Sequence, residues 1–175
     1  MAINNQPDNL NLLQAVSFET NFVRIPHCNY FCQKVSIPSM VIGSAVQPTM
    51  FSDIPLEGEK LTFDPLNISF LVDEDLQNYQ EIYTWLVSMG FPDNFSQFTS
   101  LKKPPVNSST DGIYSDINVI INTNKANPNY NITFRDAFPI TLGSIDFDAA
   151  ADGLDPIIVD ASFMFTSVFT IEKIT

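Results

Sequence analysis

A chain of 175 residues with 20 acidic and 8 basic side chains carries a formal net charge of −12, a surface that repels phosphate and excludes ordinary nucleic-acid binding. Apolar residues at 45%, including 15 phenylalanines, exclude general disorder, and the length suits one domain with a proper core. No apolar run approaches the roughly 18 residues of a membrane helix. The opening residues also lack a basic start with a cleavable apolar segment, so the sequence reads as soluble and unprocessed.

A single domain is predicted over residues 1–175, with residues 1–17 as an arm that is either flexible or engaged at an interface. Phe18 to Ile25 and Tyr30 to Ile37 read as two arms of a hairpin around Pro26, His27, Cys28 and Asn29. On a strand, Cys28 and Cys32 would stand roughly 13 Å apart, too far for a disulfide or one zinc ion. They read as a same-face pair of small buried residues with free thiols, which suits a reducing compartment. The next stretch carries Gly43, Pro48, Pro55 and Gly58 among apolar residues and reads as a long extended excursion.

Lys60 to Phe63 and Leu66 to Val72 are predicted strands separated by Asp64 and Pro65. Ile68, Phe70 and Val72 share one face of the second. Asp73, Glu74 and Asp75 read as an acidic helix start. Leu76, Tyr79, Ile82, Tyr83, Leu86 and Met89 then repeat at three- and four-residue steps, with Gly90 as the residue just past the helix end and Pro92 blocking continuation. This stripe should pack on the domain's own sheet, with Trp85 turned toward the margin.

Phe91 to Gly112 is polar and broken by Pro104 and Pro105, and reads as a mobile loop. Ser115 to Thr123 alternates around Ile117, Val119 and Ile121. A turn at Asn127-Pro128-Asn129 leads to the strand Tyr130 to Asp136. Ala137 to Phe147 begins a further strand whose early Pro139 suits an edge or a bulge. Asp148 to Pro156 is a wide acidic turn. Ile157 to Ile171 is the longest predicted strand, with Val159, Ala161, Phe163, Phe165 and Ser167 on one face. Ile158, Met164, Thr166 and Val168 take the other face, as though one side met the core and the other a partner.

Chemistry is not legible. His27 is the single histidine, and no Gly-x-Ser-x-Gly elbow or glycine-rich phosphate loop occurs. Asp146, Asp148, Asp152 and Asp155 lack the alternate spacing and closing Glu of a calcium loop, so they read as a solvated turn. No enzyme activity, cofactor or metal is expected.

The order of these elements resembles the tail tube proteins of contractile-tailed bacteriophages. The resemblance rests on Phe31, Val35 and Pro38 in the arm Phe31-Cys32-Gln33-Lys34-Val35-Ser36-Ile37-Pro38. It continues through the long loop, the acid-led helix bearing Trp85, and the terminal strands. Asp64-Pro65-Leu66, Ile68-Ser69-Phe70, Asp73, Asn78-Tyr79 and Trp85 are also similar to the tube-like domain of the baseplate tube initiator. Phe138-Pro139-Ile140, Asp146 and the strand Phe163 to Phe165 follow the same pattern, so that about residues 18–171 are covered.

The resemblance implies a mainly β fold: a twisted antiparallel β-sandwich or barrel with one flanking helix. It implies hexameric rings whose strands form an inner barrel, stacked into a tube that conducts DNA without specific binding. The implied partners are other copies of the chain, tail sheath and baseplate proteins, with no membrane, in a virion tail assembled in the host cytoplasm. Met50, Phe51, Ile54 and Leu56, too apolar for a solvated loop, are the candidate subunit-interface residues together with Trp85. Two alternatives stand beside the main tube. One is a minor tube-fold component, either the initiator or a tail completion protein. The other is a monomeric β-sandwich binding module, which self-association would distinguish.

Overall fold

The computed structural model describes residues 10–101, 112–148 and 155–174. Among the described residues, nine strands form a seven-stranded antiparallel sheet and a separate two-stranded one. In chain order the elements are β1 (Phe18–Phe22), α1 (Pro26–Phe31), β2 (Cys32–Ser36), β3 (Met40–Pro48), β4 (Asp53–Phe63) and β5 (Leu66–Leu71). They continue with α2 (Gln77–Gly90), α3 (Phe95–Leu101), β6 (Ser115–Asn122), β7 (Pro128–Leu142), β8 (Ile158–Phe165) and β9 (Thr170–Lys173). The main sheet runs β1-β6-β7-β8-β5-β2, and β9 pairs with β7.

The sheet curls on itself without closing. Phe22 on β1 and Phe163 on β8 have two strands, β6 and β7, between them in the sheet order, yet their ring centroids are 5.9 Å apart. The two end strands, β1 and β2, are connected in sequence through α1, and Phe18, Glu19, Thr20 and Cys32 line one groove between them. The predicted mainly β barrel-like class holds, as an open barrel. Its inner face follows the alternation read from sequence: Leu66, Ile68 and Phe70 on β5, Ile117 and Val119 on β6, and Val159, Ala161, Phe163 and Phe165 on β8 are all buried. Phe134, Phe165 and Phe169 form a tilted cluster with centroids 5.2–6.1 Å apart, a preferred geometry for aromatic pairs.

Several expectations are corrected. Phe18–Ile25 and Tyr30–Ile37 are not a hairpin: β1 pairs with β6 and β2 with β5. Pro26 starts α1, where its missing N–H costs nothing and its φ already suits a helix. Helical spacing turns Ile25 and Cys28 inward. Asn29 then serves as substitute partner for the end of β1, accepting from the Phe22 N–H at 2.6 Å. Cys28 is therefore a buried helical residue and Cys32 a half-buried strand residue, not a same-face strand pair. Burial, with smaller contributions from Cys32 and Glu81, pushes the Cys28 thiol from 9.0 up to about 12.

The excursion after Ser39 is an ordered hairpin, β3 paired with β4, broken by a register shift beside Gly43. A Cβ on Gly58 would lie 1.9 Å from the Gly43 carbonyl oxygen, so the crossing requires glycine. The helix count also changes. α3 occupies part of the expected loop, with Leu101 buried, while residues 102–111 lie outside the described residues.

β7 is one 15-residue strand where sequence suggested two. Asp136, at φ 51°, forms a bulge opposite Asp116, whose Oδ1 accepts the Asp136 N–H at 3.1 Å. The extra residue shifts the inward phase from Ile132 and Phe134 to Ala137, which is why the pattern looked like two strands. β6 ends its pairing at Ala137, so Pro139 sits where β7 has only β8 beside it. Conversely, Ile157–Ile171 is divided between β8 and β9, both along the same strand β7. The predicted turn falls earlier, at Asn124 to Ala126, with Ala126 at φ 58°. The wide acidic turn lies largely outside the described residues.

Candidate functional site

Two surfaces stand out. The first is the β3–β4 hairpin. Every residue of β3 is exposed, and on β4 only Gly58 and Phe63 are partly covered. Phe63 roots the hairpin by packing on Phe165 and Phe169, both at 5.8 Å between ring centroids. At the far end Thr49 and Ser52 close the turn through a 3.1 Å backbone bond, leaving Met50 at 91% and Phe51 at 95% exposure. Ile54 and Leu56 are 45% and 46% exposed and share one face of β4 by strand alternation, with Gln47 and Ala45 opposite them. Asp53, Pro55 and Glu57 occupy the other face.

Four of the five candidate interface residues thus gather on one projecting element: Met50, Phe51, Ile54 and Leu56. Trp85 does not join them. It is 2% exposed, its ring lies 6.1 Å from that of Phe163, and its Nε1–H donates to the Ile113 carbonyl at 2.9 Å. The expected marginal position of Trp85 is corrected: it belongs to the core of its own chain.

The second surface is formed where α1 meets α2. The buried line of α2 is Asn78, Ile82, Trp85 and Ser88, about one residue around the helix from the predicted stripe. Tyr79, Leu86 and Met89 flank this line, while Leu76 and Tyr83 are exposed. Asn78 is fully buried because its side chain completes the turn before α2. Its Nδ2 donates to the Leu71 carbonyl at 2.7 Å, and its Oδ1 accepts from the Tyr79 N–H at 2.8 Å and the Asp73 N–H at 3.3 Å. The acids Asp73, Glu74 and Asp75 precede the helix instead of occupying its first turn, because Leu76 in a left-handed conformation redirects the chain. At the other end Phe91, not Gly90, takes the left-handed position and donates its N–H to Val87 at 2.7 Å.

Between α1 and α2, His27 Nδ1 lies 2.5 Å from Glu81 Oε1. Arg24 lies over the Trp85 ring at 4.8 Å and donates to the Gly112 carbonyl. Burial lowers the Arg24 pKa from its usual value. Among the described residues no group of three His, Cys, Asp or Glu side chains could hold a metal ion, and no helix is long and apolar enough to cross a membrane. Sequence reasoning assigned no structural role to Arg24, Asn78 or Glu81. Their signal was a polar residue at a helix-buried phase for the last two, and none for Arg24.

No protein-family model and no curated protein matches the chain. Solved structures do. A chain of the anti-feeding prophage baseplate, a 6-fold symmetrised cryo-EM structure, superposes with a TM-score of 0.59 at 13% identity, covering 89% of this chain and 90% of that one. A chain of the anti-feeding prophage cap, described as tube-terminating, gives 0.55 at 13% identity over 99% and 100%. A chain of the sheath–tube complex of an extracellular contractile injection system in its extended state gives 0.52 at 15% identity over 93% of each. The fold is therefore that of tail-tube-like proteins of contractile injection systems. The resemblance read from the order of sequence elements holds at that level.

Proposed function

We propose that this chain is a tube-forming structural protein, whose copies close into hexameric rings that stack as the inner tube of a contractile tail. The observation that carries the reading is the β3–β4 hairpin, an apolar-tipped element standing off the core of a tail-tube-like fold. A two-stranded ribbon with its edges open and Phe51 almost fully exposed is stable chiefly when something covers it. In a ring the neighbouring subunit does so, and a head-to-tail contact that also stacks builds a filament. The open barrel fits the same reading, since strands from successive subunits can complete one another's edges. Sheath and baseplate proteins are the further partners.

The polymer conducted is DNA, passing without lasting contact. A charge of −12 per subunit, repeated around a ring, disfavours phosphate adhesion. A lumen lined with Lys and Arg, or tight salt-sensitive DNA binding by isolated rings, overturns this part of the reading.

Negative-stain microscopy of the purified protein tests the assembly: rings or tubes are expected, and a protein that stays monomeric at high concentration overturns it. In the same assay Phe51→Ser with Ile54→Ser should leave a folded chain that assembles poorly. Unchanged tube lengths would remove the hairpin from the interface. A second reading, a minor ring-forming component of the tail, is favoured by the end-to-end match to the tube-terminating cap chain. It predicts single rings that do not polymerise alone.

A further inference from the structure

The groove at the α1–α2 junction is a built polar site that the tube reading leaves unused. It has a volume of about 430 Å³ and is lined by Arg24, His27, Gln77, Gln80, Glu81 and Thr84 over Trp85. Two of its groups are incompletely matched. Arg24 is held on the Trp85 face and bonded to the Gly112 carbonyl, but among the described residues no carboxylate pairs with it. A half-desolvated guanidinium retains full charge and gains strongly from a bidentate carboxylate. Glu81 uses Oε1 toward His27, whereas its Oε2 is buried with no hydrogen-bond partner. The accessible one of the two, Arg24, therefore calls for a segment offering a carboxylate.

An acidic residue on an exposed strand offers one. β4 is such a strand: among the described residues it pairs only with β3, and one of its two exposed faces carries Asp53 and Glu57. No hairpin residue of the same chain lines the groove. We infer that the Arg24–Glu81 groove receives the acidic face of the β3–β4 hairpin from a second copy of this chain, with Asp53 or Glu57 on the Arg24 guanidinium. The apolar face, Ile54 and Leu56, remains free for the cover already proposed. The inference rests on the self-assembly reading and specifies one of its contacts.

Charge exchange in the full-length chain tests it, with the concentration for ring or tube formation read by sedimentation velocity. Asp53→Arg with Glu57→Arg alters only exposed positions, and should raise that concentration on the order of tenfold at low salt, less at high salt. Arg24→Glu should do the same, and joining it to the two hairpin changes should restore assembly. Thr84→Glu, which places a negative charge in the groove without touching Arg24, should weaken assembly and provides the groove arm if Arg24→Glu fails to fold. Wild type that forms rings while the hairpin double variant assembles equally well overturns the inference and spares the tube reading. Failure of the combined variant, folded by circular dichroism, to regain assembly also overturns it. Wild type that never assembles removes the tube reading and this contact with it.

Discussion

Replacing Trp85 by alanine should destabilise the isolated chain severely, because the indole makes several separate contributions. It is 2% exposed, so truncation leaves a core cavity worth about 3–5 kcal/mol for an aromatic-to-alanine change. The Ile113 carbonyl, bonded to Nε1–H at 2.9 Å, loses its partner at a cost of roughly 1 kcal/mol. Arg24, 4.8 Å above the ring, loses an attraction of about 0.5–1 kcal/mol. The sum is a large share of the roughly 5–15 kcal/mol that holds a domain folded. Trp85→Phe keeps much of the packing and should cost only about 1–2 kcal/mol. Urea unfolding of dilute, unassembled protein measures both. Far-UV circular dichroism is the suitable probe, because Trp85 is the single tryptophan and its fluorescence disappears with the substitution. A loss below about 1 kcal/mol for Trp85→Ala, with assembly impaired instead, would refute the core assignment and return the residue to an interface.

Asn78→Ala removes the side chain that bonds the Leu71 carbonyl and the Tyr79 and Asp73 amides, and should cost about 2–3 kcal/mol in the same assay. Leucine at that position should fare no better, since the orphaned groups are backbone. Gly58→Ala drives a Cβ into the Gly43 carbonyl and should disorder the hairpin while leaving global unfolding within about 1 kcal/mol of wild type. Hydrogen exchange over residues 40–63 reports the loss, and unchanged protection there would contradict it. The buried Cys28 thiol ionises near 12 in the folded chain against 9.0 normally. Its contribution is complete below pH 9 and disappears as pH climbs toward 12, because the unfolded chain loses the proton first. Cys28→Ala should flatten that part of the stability–pH curve, and native Cys28 should resist thiol reagents until the chain unfolds.

The sequence by itself determined the inward faces of β5, β6 and β8, the existence of α2, and the apolar character of Met50, Phe51, Ile54 and Leu56. Each is a local property: strand alternation and helical periodicity are written in neighbouring residues. Tertiary structure decided partner choice. β1 and β2 look like natural hairpin arms, yet Pro26 opens a helix between them and sends them to opposite ends of a curled sheet. Periodicity could not reveal this, because a strand's neighbour is chosen by burial over long sequence separations. The phase of α2 departs from its apolar periodicity for a related reason. Asn78 and Trp85 carry polar atoms, which argue for exposure until the fold supplies the Leu71 and Ile113 carbonyls as partners. The bulge at Asp136 likewise turned one strand into an apparent pair by shifting its inward phase, a change that only the register with Asp116 explains.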